Sequence, residues 1–158
     1  STAYLWEKVR VQGGAYGAGV GFDRHSGMLS FTSYRDPNLL NTLNVFDHTA
    51  EFLRNTAISE TELVRAIIGV VGNLDTYMLP DTKGFTALQW HLQGTNVENR
   101  QHIRDQILGT SLADIRGLAD AFAAVAQNGR VAVLGSDEAI TAANAERGGN
   151  WLTISKVL

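Results

Sequence analysis

The sequence predicts an α+β fold, with helices packed on one face of an antiparallel-rich sheet. Three features predict it. A glycine-rich alternating hairpin lies near the start, a long succession of helical apolar stripes follows, and a short apolar run bounded by glycines comes late in the chain. With 158 residues, 44% of them hydrophobic and 18% charged, the chain is long enough for one sizeable core, and residues 1–158 are expected to form a single domain.

Leu5, Trp6 and Val9 recur at helical spacing between Ala3 and Val11, with Glu7, Lys8 and Arg10 on the remaining face; Gly13 and Gly14 end that helix. Alternation takes over from Ala15 to Phe22, with Tyr16, Ala18, Val20 and Phe22 on one side and mostly glycine on the other, a bare face that another backbone can approach. The run DRHSG supplies the turn, and Met28 to Tyr34 returns as the second strand of a hairpin, with Leu29 and Phe31 on one face.

Asp36 and Pro37 open a helix, because the carboxylate accepts from an orphan amide and proline has no amide hydrogen to lose. That helix carries Leu39, Leu40, Leu43, Phe46, Ala50 and Leu53. Ser59 with Glu62 has capping-box spacing and starts a helix toward Leu74, in which Gly69 and Gly72 predict close packing against a neighbour. Pro80 and Asp81 restart the chain as a helix to Gly94, followed by helices from Val97 to Leu108 and from Leu112 to Ala126. The run GRVAVLG suits a buried strand, Ser136 caps a last helix through Ile140 and Ala143, and the tail WLTISKVL has the composition of a strand.

The net charge of -3 and the absence of cysteine exclude several classes of function. Nothing in the charge favours nucleic acid or an anionic membrane surface, and there is neither a disulfide framework nor a thiolate metal site. No apolar run approaches the roughly 18 to 20 residues that span a bilayer, so a soluble chain with no membrane partner is expected. The segment STAYLW reads as helix rather than as a targeting leader, and residue 1 is expected to be the cut end of a longer protein.

His25, His48, His91 and His102 fall in neither H-E-x-x-H nor H-x-x-E-H, so no zinc site is expected within the chain. His25 reads as a polar turn residue and the others as exposed or capping. The stretch GGAYGAGVG has neither phosphate-loop spacing, and it runs from helix into strand, the reverse of those loops. No G-x-S-x-G occurs. Arg10 and Tyr16 remain, a long cation and a phenol on either side of a glycine break, which can bring both donors over one spot. Each also has a plain structural reading, Arg10 as a partner of the helix dipole and Tyr16 as edge packing.

The segments YLWEKVRVQGGAYG, FDRHSG, SYRDPNLL and AIIGVVGNLDTYMLPDTKGF closely resemble the C-terminal half of the presequence-protease branch of the pitrilysin-like zinc metallopeptidases. The likeness covers almost the whole chain. It implies ferredoxin-like sandwich domains and a function as the C-terminal domain of a metalloendopeptidase that degrades short unstructured peptides. Zinc is its cofactor, held by ligands in an N-terminal half that is this chain's partner and lies outside the sequence. By the same resemblance Tyr16 bonds the scissile carbonyl oxygen and Arg10 holds substrate backbone, so both count as catalytic. The chain alone should be inactive and should self-associate through apolar area left uncovered. Its compartment would be bacterial, or the mitochondrial matrix or chloroplast stroma. The competing reading is a noncatalytic peptide-binding or scaffold module. Arg35 also matches the family, and the better reading for it is an ion pair with Asp36 or Asp47.

Overall fold

A computed structural model describes residues 2–156. The fold is α+β. A short α1 (Thr2–Leu5) runs into a π-helical stretch, Trp6–Gln12, and then into β1 (Gly17–Asp23) and β2 (Met28–Tyr34). The helices that follow are α2 (Leu39–Asp47), α3 (Thr49–Asn55), α4 (Glu60–Leu74), α5 (Pro80–Leu92), α6 (Val97–Leu108), α7 (Leu112–Gly117), α8 (Ala119–Asn128) and α9 (Asp137–Glu146). The described residues fall into two compact units, one reaching to Arg54 and resuming at Leu118, the other covering Asn55–Gly117.

The hairpin is antiparallel as expected, and its register sets Val20 opposite Phe31, Phe22 opposite Leu29 and Gly17 opposite Tyr34. Its turn is locked by Asp23, whose carboxylate accepts from the His25 amide at 2.9 Å and the Ser26 hydroxyl at 2.7 Å. Residues opposite each other share a face, so Ala18, Val20 and Phe31 point together into the core. They pack against Leu5, Val9, Ala15 and Phe46. Phe31 stacks on Phe46 with ring centroids 4.9 Å apart, and Phe122 of α8 tilts against it at 5.5 Å. Tyr4 stacks on Phe52 at 4.3 Å and donates its hydroxyl to the Val45 carbonyl at 3.1 Å. Near the end of the chain the buried Asn144 closes a two-way bond with the backbone of Leu152.

In the second unit Ser59 and Glu62 form the full capping box that opens α4. Pro80 occupies the first turn of α5, where its missing amide hydrogen costs nothing. Arg104 of α6 grips Asp75 at the end of α4 with both guanidinium nitrogens, and Arg100 lies 3.9 Å over the Trp90 ring. None of the described side chains of α4 to α7 is buried.

Several elements depart from expectation. The helix expected to begin at Asp36 starts at Leu39, because Asp36 accepts from the amide of Asn38 in a local turn that contains Pro37. The stripe from Leu39 to Leu53 is split at His48, whose ring nitrogen Nδ1 lies 2.7 Å from the Asn44 carbonyl, and the stripe from Leu112 to Ala126 is split after Gly117. Gly69 and Gly72 have open space where a Cβ would sit, so the close packing expected there does not occur among the described residues. The run Gly129 to Gly135 forms no strand, and Leu134 within it is 91% exposed. Residues 151–156 of the tail are likewise outside any strand, and Val157 and Leu158 lie outside the described residues. A buried strand needs a neighbour to pair with, and the described residues provide none for either run.

Candidate functional site

The site is built on the bend between the first helix and the first strand. The π-helical stretch brings residues five apart into register, and the Gln12 amide accordingly donates to the Glu7 carboxylate at 3.0 Å. Two glycines then close it for two separate reasons. A Cβ on Gly13 would lie 2.5 Å from the Val9 carbonyl oxygen, so no side chain fits. Gly14 has φ +78°, in the left-handed region that glycine enters without steric cost. The Gly14 amide donates to the Arg10 carbonyl at 2.9 Å and the Ala15 amide to the Val9 carbonyl at 3.1 Å. Arg10 and Tyr16 are thus joined by a bonded bend and not by a flexible break.

Arg10 is half-buried, its guanidinium 3.7 Å over the indole of Trp6. Tyr16 is 65% exposed, and its amide is shared between the carbonyls of Tyr34 at 3.1 Å and Arg35 at 3.3 Å. Its ring meets Tyr34 edge-on, with centroids 6.0 Å apart and an interplanar angle of 85°. The two candidate side chains therefore have separate partners, one on the helix and one at the hairpin's open end.

Arg35 differs from its expected role. It makes no ion pair with Asp36 or Asp47. Its guanidinium lies 5.9 Å from the Tyr16 ring and 5.4 Å from the Tyr34 ring, and its backbone is left-handed at φ 48°. Asp36 is already engaged, one oxygen accepting from the Asn38 amide at 2.9 Å and the other from the Thr42 hydroxyl at 2.6 Å. The Asn38 side-chain amide donates to the Gly13 carbonyl.

Trp6, Tyr34 and Asn38 were not singled out in the sequence. The four-residue spacing of Trp6 and Arg10, one turn of helix, carried that pairing. The other two depend on contacts between residues distant in sequence.

The four histidines are dispersed, with His25 in the hairpin turn, His48 after α2, His91 in α5 and His102 in α6. No group of three or more His, Asp or Glu side chains that could hold a metal occurs among the described residues. The donor set of this chain therefore does not fit a zinc ion. No helix among the described residues is long and apolar enough to cross a membrane. Two ionisations in the first unit are displaced for different reasons: the hydrogen bond from Ser26 holds the Asp23 carboxyl below its ordinary range, and burial raises the Tyr4 phenol.

Residues 1–137 match the family described as the PreP C-terminal domain. Presequence protease 1, chloroplastic/mitochondrial, of Arabidopsis thaliana is 47% identical over 158 residues, all of this chain and 14% of that protein. Presequence protease, mitochondrial, of Aspergillus fumigatus is 36% identical over 132 residues, 84% of this chain and 12% of its own length. Protein HypA of Clostridium perfringens is 33% identical over 137 residues, 87% of this chain and 14% of its own. The chain spans only 12 to 14% of the length of these relatives.

Proposed function

Because the chain belongs to the PreP C-terminal domain family, we propose that it is the C-terminal, non-zinc-binding domain of a zinc metalloendopeptidase that degrades short unstructured peptides. Residues 1–158 act in this reading as one domain of that longer enzyme. Its hairpin belongs to a ferredoxin-like sandwich completed by the remainder of the polypeptide. The metal is held in the N-terminal half, and no step at this site is assigned to it. The compartment is a mitochondrion or chloroplast, as in the names of the Arabidopsis and Aspergillus relatives, or a bacterium, as for the relative of Clostridium perfringens.

The observation that carries this reading is the pairing of an exposed phenol with a rigid approach. Tyr16 follows directly on a bend that only glycine can make, and its amide is fixed while its ring is 65% exposed. As a peptide carbonyl is attacked, negative charge develops on its oxygen, and a phenol already in place receives it without reorganisation. Arg10, its guanidinium held over the Trp6 ring, has donors in a fixed fork for backbone carbonyls of the substrate. Exposed apolar side chains support a covering partner: Trp6 is 49% exposed, Phe85 63% and Leu92 76%.

The test is Tyr16→Phe in the full-length peptidase, with steady-state kinetics on a short unstructured peptide. The expected loss is on the order of 10²-fold in kcat with KM little changed. Wild-type kcat in that variant would end the oxyanion role. A full-length protein that cleaves no peptide would favour a binding or scaffold module.

A further inference from the structure

Two residues, Tyr34 and Arg35, close around the ring of Tyr16. Its amide is forked to the carbonyls of Tyr34 and Arg35, its ring meets Tyr34 edge-on, and the Arg35 guanidinium lies 5.9 Å from its centroid and 5.4 Å from that of Tyr34. Arg35 reaches this position through a left-handed backbone, φ 48°, that a non-glycine residue seldom adopts. The carboxylate beside it in sequence is turned to other partners, its two oxygens accepting from the Asn38 amide and the Thr42 hydroxyl. Among the described residues Arg35 makes no ion pair.

A guanidinium is attracted to the electron-rich face of an aromatic ring, and two rings at similar distance hold it more narrowly than one. The consequence falls on Tyr16. Its backbone is fixed by the forked bond, but an exposed ring still turns about its side-chain bonds, and a phenol that serves a developing oxyanion must not have to search for it.

We propose that Arg35 is a positioning residue: clasped with Tyr34 against Tyr16, it restricts the Tyr16 ring and so aims the phenol at the substrate carbonyl. This rests on the oxyanion role proposed above for Tyr16, and it adds to that role a residue that acts only through another. Arg35 has no donor assigned to substrate in this scheme. Its removal should therefore lower kcat and leave KM unchanged, and the loss should vanish once there is no hydroxyl to aim.

The experiment is a double-mutant cycle in the full-length peptidase, using Arg35→Asn, Tyr16→Phe and the pair, with Arg35→Lys as the rescue variant. Asparagine tolerates left-handed backbone, so Arg35→Asn removes the cation without forcing the bend. Tyr16, Tyr34 and Arg35 are all exposed, and an exposed cation-π contact corresponds to a kcat loss of about two- to fivefold for Arg35→Asn, with Arg35→Lys within roughly twofold of wild type. On the Tyr16→Phe background, Arg35→Asn should cost nothing further. Should Arg35→Asn prove insoluble, Tyr34→Leu removes the second ring and should show the same non-additivity with Tyr16→Phe.

Additive losses, a rise in KM at constant kcat, or wild-type kcat in Arg35→Asn would each overturn the proposal. Wild-type kcat in Tyr16→Phe would instead sink the oxyanion role, and this inference with it. A large Tyr16→Phe loss beside an unaffected Arg35→Asn enzyme would remove the positioning role alone.

Discussion

The side-chain amide of Asn38 donates to the carbonyl oxygen of Gly13, so that the residue immediately before α2 holds the bend that separates Arg10 from Tyr16. Asn38→Ala removes this long-range bond and leaves a half-buried carbonyl without that donor. A loss of about 1 kcal/mol in urea-induced unfolding is expected. Asn38→Asp should behave similarly or worse, because an ionised carboxylate has no hydrogen to give.

The two glycines should fail differently. Gly13→Ala places a methyl 2.5 Å from a backbone oxygen, whereas Gly14→Ala meets only a strained φ of +78°. Each is expected to destabilise by about 1 to 3 kcal/mol. Asparagine should relieve part of the cost at Gly14 and none at Gly13, which paired thermal melts would reveal.

Arg10→Ala in the full-length peptidase is expected to raise KM and lower kcat, since a group that grips substrate backbone acts in both ground and transition states. If Arg10 served only the helix dipole, the variant would lose roughly 0.3 to 1 kcal/mol of stability with unchanged kinetics. Kinetics and melting of the same variant distinguish the two.

Acid should weaken the second unit first at its helix ends. Ser59 holds the Glu62 carboxyl below its ordinary range, Ser111 does so for Asp114, and Arg104 for Asp75. A carboxyl whose folded value is depressed binds fewer protons folded than unfolded. Its contribution is complete above the unfolded value of about 4 and disappears as pH falls through the lower folded value. Ser59→Ala should flatten the fall in stability below about pH 4, and thermal melts between about pH 2 and 6 would show it.

Chelator-free protein of residues 1–158 is expected to carry no stoichiometric zinc and to cleave no peptide, because its four histidines sit in separate elements. Elemental analysis and a peptide assay check both. One tightly held zinc per chain would contradict the proposed placement of the metal outside this chain.

What was legible in the sequence was local. The hairpin follows from a period of two and a turn that Asp23 can bond, and the α4 start from Ser59 and Glu62 three residues apart. The fate of the run Gly129 to Gly135, expected as a strand, was not legible, because a short apolar run bounded by glycines does not reveal whether a partner strand exists. The helix start moved from Asp36 to Leu39 because Asp36 was drawn into bonds with Asn38 and Thr42, one of them six residues away. Arg10 and Tyr16 could be singled out as residues. The indole beneath one and the Tyr34 and Arg35 pair beside the other depend on packing, and proximity in sequence favoured Asp36 as the partner of Arg35.

The bare face of the hairpin makes this chain a reporter of its own assembly. A methyl added at Gly17 meets nothing within 4 Å, and one added at Gly21 comes only to 3.7 Å of the Ser30 hydroxyl. In isolation Gly17→Ala should therefore be neutral or raise stability by up to about 1 kcal/mol, through a less disordered unfolded state. If a neighbouring backbone of the longer polypeptide lies against that face, the same methyl becomes an obstruction and the effect changes sign. One substitution, measured with and without the rest of the polypeptide, would then register docking without any label or probe.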